Sequence, residues 1–204
     1  HHWKLNELSG DVAKDSAGSA DGEYNGNIIL GESGIDGTSV EFTADNSQFV
    51  DLGGITDIGD EFTITIWAYQ DVTPTEDVIQ IWEFGGGDVV GNPETRVEQD
   101  PNQGIEFTHH GTEITLDSGY PDQWVLYTAR FDGSTMSLVR NDFAEETTGS
   151  SSGSLSTDPG GIGNDPGSGG DDYGGQPFDG NVDDMRIYDQ WLTDDQISRL
   201  FSSY

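Results

Sequence analysis

Glu83, Glu106 and the adjacent pair His109-His110 are the side chains in this sequence whose types and settings come nearest to a catalytic arrangement. Glu83 sits in Trp-Glu-Phe-Gly-Gly-Gly-Asp, and Glu106 sits in Ile-Glu-Phe-Thr-His-His. Retaining hydrolysis of a glycoside needs two carboxyl groups about 5–5.5 Å apart, one acting as nucleophile and the other as acid. Neither glutamate has an aspartate and a second glutamate in register with it. Adjacent residues on a strand point to opposite faces, so His109 and His110 read as surface residues and not as a catalytic or zinc pair. No His-Glu-x-x-His pattern occurs, and the absence of cysteine removes disulfide and thiolate chemistry. The expectation is a protein that is not an enzyme.

Aromatic rings offer a different chemistry. A ring outside the core can stack on the C–H face of a pyranose while nearby Asp, Asn and Gln hold the hydroxyls. Trp67, Tyr69, Trp82 and Tyr120 are candidates, together with Tyr173. Core packing is the default for Trp67 and Trp124. Tyr120 and Tyr173, flanked by Gly, Pro and Asp, are expected to be exposed. The residues expected to bind ligand are therefore Tyr120, Tyr173, Trp82 and Tyr69.

These side chains stand on a strongly acidic background, with 39 Asp and Glu against 7 Lys and Arg and a formal net charge of −32. Disorder is one reading of such a charge, but periodic aromatic strands argue against it for most of the chain. Specific cation binding could use only a few of the carboxylates. Adaptation to very high salt uses all of them, because the Debye length falls to about 3 Å at molar salt and self-repulsion is screened. Nucleic acid and anionic membranes are repelled by the same charge. No stretch nears the roughly 20 apolar residues that span a bilayer, and any targeting leader is expected outside these residues.

The elements that must position the site are mostly strands. In Phe62–Tyr69 the residues Phe62, Ile64 and Ile66 face one way, while Thr63, Thr65, Trp67 and Tyr69 face the other. Val78–Phe84, Ile105–His109, Trp124–Phe131 and Met136–Arg140 are similar runs bounded by Gly, Asp, Asn and Pro. Shorter strands fit Trp3–Leu5, Ser39–Phe42, Phe49–Leu52, Glu113–Leu116 and Val182–Tyr188. Asp132-Gly133 marks a hairpin turn. One helix is predicted, where Thr193 and Gln196 form a capping box ahead of Ile197, Leu200 and Phe201. Gly149–Gly175 has a linker's composition but reads as a long loop within one domain, because the strand after it has too few neighbours to fold alone. Gly160–Asp165 matches the opening of a calcium-binding β-roll repeat, but that architecture needs several stacked copies and is rejected. An all-β, two-sheet antiparallel sandwich of jelly-roll type with one short C-terminal helix is the predicted fold, a single domain spanning residues 1–204.

Several blocks carry a family resemblance. His2–Gly18, with a Trp-containing strand before an Asp-Ser-x-Gly turn, resembles the opening of laminin-G-like jelly-roll domains of the concanavalin-A-like superfamily. Gly34–Phe42, Glu61–Tyr69 and Gln123–Asn141 resemble the central strands. Phe178–Phe201 is similar to the closing strand and terminal helix. The superfamily includes pentraxins, legume lectins and laminarinase-type glycosidases, so the fold alone does not decide function. The Glu-x-Asp-x-x-Glu triplet of the glycosidases has no counterpart here.

The resemblance implies a structural calcium ion, with Asp183 of Val182-Asp183-Asp184-Met185-Arg186-Ile187-Tyr188 as a ligand. Asp183 is expected on the face of Met185 and Ile187, where a carboxylate needs a cation or donors. The alternative is that Asp183 pairs with Arg186 or caps backbone amides. Asp15, in the Asp-Ser-x-Gly turn, is either a further ligand or a turn residue. A pentraxin-like second site would draw on Thr75-Glu76-Asp77 and on Asn164, Asp165, Asp171 and Asp172. That second loop is glycine-rich, unlike the pentraxin one, and solvated loop is its first reading. The metal-ligand expectation is Asp183, Asp15, Asp77, Asn164, Asp165 and Asp172. Together these readings imply a non-catalytic recognition or adhesion module, extracellular or on a cell or particle surface. It would bind glycans or surface glycoproteins beside neighbouring domains or in an oligomeric assembly. The alternatives are a structural domain of a fibre, appendage or virion spike and, behind it, a glycoside hydrolase.

Overall fold

Alternation of apolar and polar side chains, which costs nothing in a strand with one face covered, builds two sheets around one interior. A computed structural model describes residues 1–45, 47–71, 78–85, 94–117, 121–164 and 177–204. Its strands begin with β1 (His2–Trp3), β2 (Val12–Ala13), β3 (Gly22–Asn25) and β4 (Ile29–Ser33). They continue with β5 (Thr38–Thr43), β6 (Phe49–Gly54), β7 (Phe62–Gln70) and β8 (Ile79–Phe84). Next come β9 (Thr95–Asp100), β10 (Gly104–His109), β11 (Thr112–Leu116) and β12 (Trp124–Phe131). The last are β13 (Thr135–Arg140), β14 (Glu145–Ser150), β15 (Pro159–Ile162) and β16 (Asp179–Tyr188), before helix α1 (Asp194–Phe201).

The first sheet runs β14-β13-β12-β7-β16-β5-β4, with β1 paired to β16. The second runs β11-β10-β9-β8-β15-β6-β3-β2. Pairing is antiparallel throughout the described residues, and the first and last strands meet, with Trp3 opposite Met185. Phe62, Ile64, Ile66, Phe131, Met185 and Ile187 from the first sheet share one apolar cluster with Val50, Trp82, Phe84, Val97 and Phe107 from the second.

Two features depart from the sequence reading. Gly149–Gly175 is not one loop, because β14 ends inside it and β15 forms an inner strand of the second sheet between β8 and β6. Glycine is required there: a Cβ on Gly160 would run into the Phe84 ring, which is fully buried. In β16 a bulge between Asp183 and Arg186, with Asp184 at φ 48°, resets the alternation. Val182, Met185 and Ile187 therefore point inward, and Asp183 lies opposite Trp67 on the other face.

Helix α1 closes the outer face of the first sheet. Thr193 caps it through the reciprocal bonds with Gln196, and Asp194 and Asp195 occupy its positive end. Trp67 stacks on Phe201 at 5.5 Å, so its burial lies beneath the helix and not between the sheets. Arg130, itself buried, donates to the Leu192 carbonyl at 2.9 Å and pairs with Asp194 at 2.9 Å and Glu146 at 2.7 Å. Arg96, Arg140 and Arg186 are each likewise paired with carboxylates. Most of the few cations this chain keeps thus act as internal clamps, leaving the surface to the acids.

Candidate functional site

Tyr69 and Trp124 emerge from opposed positions on β7 and β12. Both point away from the core, because the inward positions beside them are taken by Ala68 and Val125. Their rings lie 5.8 Å apart at 61°, an edge-to-face pair, and both are half-buried. With Glu32, Ser33 and Asn181 they line an open groove of about 290 Å³. An apolar ring wall beside a carboxylate, a hydroxyl and an amide can stack on a sugar and hold its hydroxyls. Tyr69 was expected here, whereas Trp124 was expected in the core. It stands at the start of β12 on the outward face, half-buried.

Trp82 must be withdrawn as a ligand platform. It is only 1% exposed and packs between the sheets against Phe84 at 6.0 Å and Phe107 at 6.4 Å. A bulge between Gln80 and Trp82 sets it on the inner face. Tyr120, Tyr173, Asp77, Asp165 and Asp172 lie outside the described residues.

Asp183 is 0% exposed. Its Oδ2 accepts from the backbone amides of Ile35 at 2.9 Å and Asp36 at 3.1 Å, while its Oδ1 has no partner. Burial, and then the adjacent Asp184, push its pKa up to about 7 against the amide bonds that favour the anion. It is Asp184 that takes Arg186, at 2.5 Å. Asp15 is a turn anchor: its Oδ1 accepts from His2, Ala17 and Gly18, and its Oδ2 binds Ala20 and His1. Burial disfavours the charge, but these bonds outweigh it and hold the pKa well below the usual carboxylate range. No oxygen of Asp15 is left open, so the metal-ligand expectation for it is replaced by that of a turn residue. Asn164 is buried just after β15, and among the described residues no three His, Asp or Glu converge as a metal would require.

The second sheet assembles a group that the sequence did not disclose. Glu98 on β9 stands directly opposite Glu106 on β10, and Gln80 on β8 stands opposite Glu98. One row along, Glu83 faces Arg96, which faces Thr108. All point to the outer face, because Val97, Phe107 and His109 between them point inward. Arg96 pairs with Glu94 at 2.6 Å and Glu98 at 2.9 Å. The missing signal was β9 itself, Thr-Arg-Val-Glu-Gln-Asp, whose single aliphatic residue hid the strand that brings Glu83 and Glu106 onto one surface.

A family model described as concanavalin A-like lectin/glucanases superfamily, Laminin_G_3, matches residues 36–198. The chain belongs to that family. Among solved structures, this Laminin_G_3 domain is similar to domain 4 of AbnA, a GH43 extracellular arabinanase from Geobacillus stearothermophilus, in complex with arabinotriose. Identity is 16% and the TM-score 0.75, over 98% of this chain and 96% of that one. It is also similar to a Trypanosoma rangeli sialidase at 12% identity and TM-score 0.69. That match covers 98% of this chain but 32% of the sialidase. The HCR/D W1238A mutant matches at 15% identity and TM-score 0.70, over 99% of this chain and 50% of that one. Identities this low establish a shared fold alone. Among curated proteins, none matches the sequence.

Proposed function

We propose that this domain is a non-catalytic glycan-recognition module, displayed outside the cell or on a particle surface and working in high salt. The groove walled by Tyr69 and Trp124, with Asn181, Ser33 and Glu32 beside the rings, carries the reading. The acidic surface and the enlistment of arginines as internal clamps support the high-salt setting. A glycan array in molar KCl should return a saturable ligand. Trp124→Ala and Tyr69→Ala should each weaken it at least tenfold, about 1.4 kcal/mol, while the melting midpoint stays near that of the parent. An array with no signal above background ends the glycan reading and leaves the domain as a structural part of a surface assembly. Unchanged affinity in both variants moves the site off this groove.

A structural calcium ion belongs to the same proposal. The Asp183 carboxylate fits a cation because one buried oxygen has no partner and two backbone amides on the other offset the buried charge only in part. Since no third acid among the described residues converges there, the remaining donors would be backbone carbonyls and water, as hard cations accept. The ion would supply the charge that lets Asp183 stay ionised in its buried setting. Chelator should lower the melting midpoint and added calcium restore it, by mass action on the native state. Asp183→Asn should abolish that response. A midpoint indifferent to chelator would mean that Asp183 is an amide cap and nothing more.

A further inference from the structure

The outer face of the second sheet holds more acceptors than its own donors can satisfy. Glu106 is 3% exposed, and its Oε1 finds no hydrogen-bond partner. Thr108, two residues along β10 on the same face and also 3% exposed, has an unpartnered hydroxyl. The nearest cation, Arg96, is held by Glu94 and Glu98. Glu83 accepts from the Gln80 side chain. Glu113 on β11 stands opposite Thr108, and Asp100 closes the row at the end of β9. An unsatisfied buried acceptor costs about 1–3 kcal/mol, more when charged, so Glu106 and Thr108 together mark a place where a guest's donors are missing.

We propose that this face is a second ligand site, taking an organic ammonium group carried on a hydroxylated frame, as in an amino sugar. The chemistry selects the class. Glutamates outnumber the single arginine, so the guest is a cation. A lone ammonium carries three donors and no acceptor, matching the open oxygens of Glu106 and Thr108. A metal ion fits less well: it needs about six to eight oxygens, and no three acids converge here among the described residues. The backbone carbonyls of β9 and β10 are engaged in their ladder, unlike those of the loop beside Asp183. The Thr108 hydroxyl, which both accepts and donates, can also meet a hydroxyl on the frame that carries the amine.

The state of Glu106 agrees with this geometry. Burial, then Glu113, Glu98 and Asp100, push its pKa up to about 7 against the weaker pull of Arg96. An ammonium group seated against it would ionise it, so binding below neutrality releases a proton.

The test is calorimetric titration of the whole chain in molar KCl with a glucosamine tetramer, an N-acetylglucosamine tetramer and calcium chloride as separate probes. The glucosamine tetramer is expected to bind, with proton release that shows as a buffer-dependent enthalpy at pH 6. The acetylated tetramer should bind at least tenfold more weakly at this face. Glu106→Gln and Thr108→Ala should each lower affinity about tenfold or more, and both should melt no lower than the parent, which keeps loss of binding separate from loss of fold. The titrations are made in the Trp124→Ala background as well, where the aromatic groove is disabled, so that binding which persists there belongs to this face and its failure is told apart from failure of the groove. Equal binding of the acetylated tetramer, saturable calcium binding lost in Glu106→Gln, or no binding of the glucosamine tetramer would each overturn the proposal.

Discussion

Trp82→Ala is expected to destabilise the domain by about 3–5 kcal/mol, the range for truncating a buried aromatic in a packed core. The indole fills the space where β8, β9 and β15 meet, opposite Val97 and Ile162 and against the rings of Phe84 and Phe107. Collapse around the missing ring is limited, because Gly160 already brings the β15 backbone against Phe84 and leaves no slack on that side. Trp82→Phe, which keeps a ring in the same slot, should lose less than half as much. Denaturant unfolding in molar KCl reads both, as a drop in the midpoint at unchanged slope. A loss under about 1 kcal/mol for Trp82→Ala would show that the two sheets do not pack around this residue as described.

Acidification from pH 6.5 to 4 is expected to weaken the fold through His109. That side chain is 0% exposed, wedged among Phe62, Phe107 and Phe131, with its Nδ1 2.9 Å from the Thr95 hydroxyl. Burial, then the neighbouring His110, pull its pKa down to about 4 from the ordinary 6.5. Above 6.5 the ring is neutral in both folded and unfolded chains, and its contribution is complete. As pH falls below that value the unfolded chain takes up a proton that the native state refuses until near 4, so stability is lost across this window. At about 1.4 kcal/mol per pH unit the loss approaches ~3 kcal/mol. Glu106, Glu98, Glu41 and Asp179 work in the opposite sense, because burial has raised their pKa values and protonation relieves them. The measurement is therefore a difference: unfolding free energy against pH for the parent and for His109→Phe, in molar salt. The gap between them should close by about 3 kcal/mol in favour of the variant as pH drops through the window. Parallel curves would show that His109 is not held neutral by its surroundings.

His109 also shows where sequence reasoning went astray. The pair does not straddle a strand: β10 ends at His109, and His110 follows in the turn at φ 48°, half-buried, with its ring 4.5 Å from that of His109. Only the packed sheets show that the strand stops between them and that the His109 imidazole serves as part of an aromatic cluster. Trp82 failed as a ligand candidate for a related reason. The bulge beside it shifts the alternation by one residue, and bulges leave little trace in composition.

What the sequence by itself determined is the set of elements: period-two runs such as Phe62–Tyr69 and Trp124–Phe131, the Asp132-Gly133 hairpin and the Thr193 capping box. These are local signals, in which a residue's neighbours along the chain decide its conformation. The tertiary structure alone decided which side chains share a surface. Glu98 meets Glu106, and Tyr69 meets Trp124, across strand registers set by the fit of two whole sheets. The faces of Asp183 and Trp82 were settled by bulges that one-residue slips create. Sites in this fold are cross-strand objects, and cross-strand register is a property of the packed core rather than of any segment within it.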